Sequence, residues 1–219
     1  MRRVLEPELM EDDAQARAYA QADFEAPHRL IAAALLERAG RLPSSGIALD
    51  LGCGPADITL RVARGLPGWR VDGVDGSPAM LRYGQEALAA SGLGERVRLL
   101  LGRLPDEQLP EPAYDLVFSN SLLHHLPEPA LLWGAVRRHA RPGAPVVILD
   151  LMRPDSPEAA AAMVERYSGG EPEILKRDFY YSLCAALSVE EVRASLAAAG
   201  LALEVEALSD RHLVAWGAA

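Results

Sequence analysis

The sequence predicts an α/β fold, an open and mostly parallel sheet with helices on both faces that ends in an antiparallel hairpin. Three observations predict it. From about Gly46 onward, short β-branched or apolar runs alternate with amphipathic stretches of helical length, as βαβ units do. A glycine turn, Gly52-Cys53-Gly54, directly follows the first of these runs and opens a helix. Near the C-terminus the order changes to one helix and two strands joined by the short turn Ser209-Asp210-Arg211, which is a hairpin pattern.

The elements follow in order. Residues 8–38 read as one or two helices broken near Pro27, the main part of an N-terminal cap spanning residues 8–45. Strands are expected over Ile47–Leu51, Arg70–Val74, Arg96–Leu101, Tyr114–Ser119 and Pro145–Leu151, inside a core of residues 46–151. Between them, Thr59–Gly65, Pro78–Ala90 and Pro129–Ala140 carry apolar residues three and four apart, with Gly or Pro near the end. Two of them begin at Pro, which suits a helix start because its missing N–H would lack an intrahelical partner anyway. Residues 154–188 form an insertion with Gly169-Gly170 and the aromatic run Phe179-Tyr180-Tyr181. It is too long to be a structureless connection, and with the N-terminal cap it is expected over the carboxyl edge of the sheet. Helix Val189–Ala199, stopped by Gly200, then leads into strands Leu201–Leu208 and His212–Gly217 within the closing segment 189–219. These strands make a seven-stranded mixed sheet with the last strand antiparallel, in a single domain.

Composition narrows the function. The chain has 219 residues, 50% of them hydrophobic, enough for one buried core. A net charge of −9 repels polyanions and gives no footprint for nucleic acid. The basic cluster Arg137, Arg138 and Arg141 reads as structural, since cations suit a helix C-terminus before Pro142-Gly143. The N-terminus turns acidic at Glu6, Glu8, Glu11, Asp12 and Asp13 without a signal-peptide apolar stretch, and no run is long enough to span a bilayer. Cys53 and Cys184 lack metal-ligand spacing, so a cytoplasmic protein with free thiols and no metal site is expected.

The strongest signal is Asp50-Leu51-Gly52-Cys53-Gly54. Glycine has no Cβ and tolerates positive φ, so the backbone turns sharply and lets a ligand approach. Asp75 ends the next strand, 21 residues beyond Gly54, where a carboxylate can accept hydrogen bonds from both hydroxyls of a ribose. For a pyrophosphate dinucleotide the third glycine of the fingerprint falls at Asp57, whose charge opposes a pyrophosphate. A ligand with an ammonium group and no phosphate is favoured instead.

Three strings, Asp50-Leu-Gly-Cys-Gly54, Val74-Asp75-Gly-Ser-Pro-Ala-Met80-Leu81 and Tyr114-Asp115-Leu-Val-Phe-Ser-Asn120-Ser-Leu-Leu-His124-His125-Leu126, resemble the successive motifs of class I S-adenosylmethionine-dependent methyltransferases. The resemblance covers roughly residues 46–151 and implies a Rossmann-like fold, an S-adenosyl-L-methionine cofactor and methyl transfer to a small molecule. It implies that Asp50, Gly52, Cys53 and Gly54 hold the methionyl part, and that Asp75, with Gly76, Ser77 and Met80 beside it, holds the ribose. It also places Asn120, Ser121 and His125 along the cofactor, and Tyr19 on a helix closing over its methionyl end. Two departures stand out. Ala56 occupies a customary glycine position, where one extra methyl is expected to be tolerated. The usual Gly-Asp after the third strand is Gly102-Arg103-Leu104-Pro105, leaving Arg103, Leu104 or Asp106 to meet the adenine.

Methyl transfer from a sulfonium needs no protein nucleophile; a base matters only when the acceptor must lose a proton. Candidate catalytic residues are His124, just after the fourth strand, Asp150 at the end of the fifth, and Tyr181 in the insertion. His124 and His125 also suit packing under the Pro127 turn, and Asp150 suits a cap or a pair with Arg153. Asp178 and Tyr180 are further candidates in the insertion. In the cap, Tyr19, Asp23, Phe24 and His28 recur at helical spacing, and an amphipathic helix shows the same pattern. His212 is expected at the surface. A His124–His125 metal pair is disfavoured, because neighbouring side chains diverge and no third ligand is evident. Other chemistry at the same cofactor site would call for an extra cation such as Arg153 or Arg177, and a non-catalytic nucleotide-binding regulator would lack an acceptor cavity. The oligomeric state, monomer or homodimer, is open.

Overall fold

The strands of the computed structural model are β1 (Gly46–Leu51), β2 (Trp69–Asp75), β3 (Val97–Leu101), β4 (Leu116–Asn120), β5 (Pro145–Leu151), β6 (Glu204–Ala207) and β7 (His212–Ala218). They form one sheet in the order β3-β2-β1-β4-β5-β7-β6. The first five run parallel, and β7 lies antiparallel between β5 and β6. The structure describes residues 1–6, 13–22, 24–106, 108–109 and 113–219. The acidic residues Glu8, Glu11 and Asp12, and Asp23, lie outside them.

Alternation along the strands gives each face its own core. Leu49, Leu51, Val117, Val146, Ile148, Leu213 and Ala215 pack on one side with α5 (Ala130–His139) and α8 (Val189–Ala199). Ala48, Leu116, Phe118, Val147, Leu149 and Val214 pack on the other with α2 (Glu25–Ala39), α3 (Asp57–Gly65) and α4 (Pro78–Ser91). The expected seven-stranded mixed sheet with helices on both faces is therefore observed.

Local chemistry explains the boundaries that differ from expectation. The cap is two helices, and it breaks between α1 (Asp13–Gln21) and α2, a few residues before Pro27. Pro27 is the third residue of α2, where the missing N–H costs no helical bond. The strand before β5 starts at Leu116; Tyr114 makes only an isolated bridge to Ala140, and its hydroxyl donates to Asp72 Oδ2 at 2.9 Å. The first hairpin strand shortens to Glu204–Ala207 because Leu201 N donates back to Leu196 O at 3.1 Å, closing α8 over the left-handed Gly200.

The insertion is two helices, α6 (Pro157–Ser168) and α7 (Glu173–Ala185). They share a small apolar cluster of Leu151, Ala160, Val164, Leu183, Cys184 and Ala186, with Met1 packed against it. Helix α1 reaches both neighbours: Asp13 pairs with Arg82 of α4, and Gln15 Nε2 donates to Asp178 of α7 at 3.3 Å. No described helix is long and apolar enough to cross a membrane.

Candidate functional site

The turn after β1 is stitched to the end of β2. Gly52 N and Cys53 N both donate to Val74 O, at 2.8 and 3.0 Å. Asp75 bridges two turns: its Oδ2 accepts from Gly54 N and its Oδ1 from Ser77 N, each at 2.8 Å. Gly52 and Gly54 have φ of +76° and +53°, the left-handed region that favours glycine. They differ in surroundings. A Cβ on Gly52 would meet Leu122 at 2.9 Å, whereas one on Gly54 meets nothing within 4 Å. Gly54 therefore borders open space beside the Asp75 carboxylate. Ala56 is also left-handed, with φ +67°, so its cost is conformational, about 1 kcal/mol, rather than that of an extra methyl. The Cys53 side chain packs over Gly73, and burial pushes its thiol up.

Two acids serve this turn. Asp50 is 1% exposed and accepts from Thr59 Oγ1 at 2.6 Å. Burial, reinforced by nearby Asp75 and opposed by Thr59, pushes its carboxyl up to about 7. Burial also raises Asp75, against the pull of its two backbone donors and of His125 and Arg103. Asp57, at the third-glycine position, points to the cap: its Oδ2 lies 2.7 Å from His28 Nδ1 and 2.8 Å from Arg61 Nε. The Arg61 guanidinium offsets its charge and His28 occupies the same oxygen, so the electrostatic bar to a pyrophosphate is weaker than the sequence implies. Beyond α4's N-cap, where Ser77 Oγ accepts from Met80 N at 3.2 Å, both Ser77 and Met80 are buried.

At the end of β4 the chain turns sharply. Asn120 is half-buried, and Ser121, at φ +59°, donates its N–H to Leu149 O at 3.0 Å. A 3-10 turn, Leu123–His125, follows. Asp150, 2% exposed, anchors it: Oδ2 accepts from Leu123 N and Oδ1 meets His124 Nδ1, both at 2.6 Å. The two histidine rings, 4.1 Å apart between centroids, converge on Glu6. Glu6 Oε2 is 2.5 Å from His125 Nδ1, and its Oε1 is 4.0 Å from His124 Nε2 and accepts from Ser182 Oγ at 2.6 Å. Burial opposes both charged forms, but the partners prevail: Asp150 and Glu6 hold His124 above its usual value, and the histidines hold Glu6 below the usual carboxylate range.

Sequence reasoning missed Glu6, Ser182 and Arg3. Arg3 fixes the N-terminal segment by donating to the carbonyls of Ala185, His124 and Leu126 at 2.6, 3.1 and 2.8 Å. No local pattern signals these residues. Tyr181 is 39% exposed and packs edge-on against Tyr180 with ring centroids 6.0 Å apart, which places it outward rather than among the buried His124 and Asp150. Its neighbour Ser182 faces inward instead. Asp150 is engaged by His124 and backbone, while Arg153 pairs with Glu191 at 2.7 Å and Arg177 with Asp178 at 3.1 Å. Tyr19 packs 5.0 Å from Phe24, which stacks on His28, and burial pushes the tyrosine up to about 12. Arg103 lies against Gly76, Leu104 is half-buried, and Asp106 is exposed. His212 is half-buried rather than on the surface, and burial pushes it down to about 4.

Comparison with known proteins agrees with this geometry. A family model described as "Methyltransferase domain" matches residues 49–146. The chain is 34% identical over 118 residues to a demethylmenaquinone methyltransferase of Lactiplantibacillus plantarum, covering 53% of this chain and 49% of that protein. It is 33% identical over 137 residues to a trans-aconitate 2-methyltransferase of an Azoarcus species, covering 63% and 49%. It thus spans about half the length of these curated relatives. A SAM-dependent methyltransferase from Aquifex aeolicus superposes with a TM-score of 0.73 at 19% identity, over 94% of this chain and 98% of that one. The fold is that of Rossmann-like methyltransferases, and residues 49–146, which carry the glycine turn, Asp75 and the His124–His125 turn, match the methyltransferase-domain model.

Proposed function

We propose that the protein transfers a methyl group from S-adenosylmethionine to a small-molecule acceptor by direct in-line displacement. The observation that carries this reading is the open space at Gly54 beside the paired backbone and carboxylate groups of Asp75. When bound there, the cofactor supplies a sulfonium methyl that leaves sulfur as the acceptor's lone pair bonds to its carbon. Asp75 retains lone pairs for ribose hydroxyls, and Asp50 places negative charge where an ammonium group would neutralise it. Cap helices α1 and α2, with α6 and α7, exclude water over the carboxyl edge, and the chain works as one unit. Glu6, His124 and His125 line the acceptor side, with Asp150 positioning His124. Relatives named for trans-aconitate and demethylmenaquinone, with the net charge of −9, support a small acceptor over nucleic acid.

Thermal-shift binding tests the reading. S-adenosylmethionine and its demethylated product should raise the melting temperature, NAD should not, and Asp75→Ala should abolish the shift. Stabilisation by NAD alone would reject it. An acceptor screen with purified protein then identifies the substrate.

A further inference from the structure

We propose that Glu6, His124 and His125 form a binding site for one divalent transition-metal ion of the zinc and cobalt kind. Two imidazoles and one carboxylate are a borderline-soft N,N,O set that suits such ions better than magnesium or calcium, which take all-oxygen shells. Their ligand atoms all lie within 4.8 Å of one another. Atoms bound to a common tetrahedral zinc at about 2.0–2.2 Å lie about 3.3–3.6 Å apart, so closure requires side-chain movements of up to about 1.5 Å.

Three further features fit a metal better than an ordinary ion-pair cluster. His125 Nδ1 is buried with Glu6 Oε2 only 2.5 Å away. An ion between them would engage both and open the contact to about 3–3.5 Å at tetrahedral angles. His124 gives its Nδ1 side to Asp150 at 2.6 Å, which leaves Nε2 for the ion in the carboxylate–histidine–metal arrangement. Glu6 is itself oriented by the Ser182 hydroxyl at 2.6 Å. Adjacent histidines diverge in an extended chain, but the 3-10 turn brings these rings to 4.1 Å. The nearby Arg3 guanidinium opposes a cation, yet it is spent on backbone carbonyls and is outnumbered by Glu6 and Asp150. Three protein ligands leave coordination positions open for water or an acceptor oxygen.

Tag-free, chelator-treated full-length protein, without cofactor or acceptor, is titrated with Co²⁺ and followed by visible absorption. Zn²⁺ competition and native mass spectrometry give affinity and stoichiometry. One ion per chain is expected, with ligand-field bands lost on adding Zn²⁺. Glu6→Gln and His125→Gln should each weaken binding at least 10-fold while circular dichroism stays native, and Asp150→Asn should weaken it about 10–100-fold through His124. Absence of bands, or binding unchanged in both Glu6→Gln and His125→Gln, overturns the proposal. Because the readout is metal occupancy, it is separate from whether the chain methylates anything.

Discussion

Asp150 grips the turn after β4 at two points, taking Leu123 N–H on Oδ2 and His124 Nδ1 on Oδ1, each at 2.6 Å. Both groups are buried, so an amide at position 150 would aim an N–H at one of the two donors. Asp150→Asn should lower unfolding free energy by about 3 kcal/mol in urea titrations. Cofactor affinity should stay within about threefold, because the Gly52–Gly54 turn hangs on Val74 and Asp75 instead. A stability change near zero would contradict this anchoring role.

The two glycines of the turn should separate folding from binding. Gly54→Ala adds a methyl that meets no protein atom, so it should cost only the left-handed strain of about 1–2 kcal/mol while weakening cofactor binding severely. Gly52→Ala drives a methyl against Leu122 and should cost several kcal/mol, with overpacking added to strain. Melting curves with and without cofactor distinguish the pair.

Asp50 predicts a pH dependence in the cofactor-free protein. Its folded value of about 7 stands above the ordinary 3.8, so between those pH values the folded chain holds a proton that the unfolded chain has released. Stability should therefore fall as pH rises from about 4 to about 7 and change no further from this source above that. Asp50→Asn should flatten the slope and stabilise the protein at pH 8 by roughly 2–4 kcal/mol. A cofactor ammonium favours the carboxylate, so binding near pH 7 should release protons, measurable by calorimetry in buffers of different ionisation enthalpy.

Asp57 ties α3 to the cap through His28 and Arg61. Asp57→Gly restores the dinucleotide-type glycine spacing, yet it should confer no NAD-induced thermal shift. It should instead destabilise the protein by about 1–2 kcal/mol by removing those contacts and adding chain entropy in the unfolded state. An NAD-dependent shift in this variant would make Asp57 the specificity determinant.

Legibility followed the range of the interactions. Helix Val189–Ala199 and strand Pro145–Leu151 are readable to the residue, because Gly200 and a continuous apolar run mark them locally. The break in the cap is legible only to within a few residues, because a proline that starts a helix and one that breaks it look alike in sequence. His212 was misplaced because its burial depends on what packs against β7.

The sequence by itself determined the order of strands and helices, the glycine turn and the acid one strand over, since periodicity, chirality and glycine's backbone freedom act between near neighbours. Only the tertiary structure decided that Glu6 meets Ser182 across 176 residues and reaches His125, or that Ser182 rather than Tyr181 faces the cluster. Those contacts exist because Arg3 clamps the N-terminal segment between α7 and the His124–His125 turn, an arrangement set by packing of distant surfaces that no local pattern encodes.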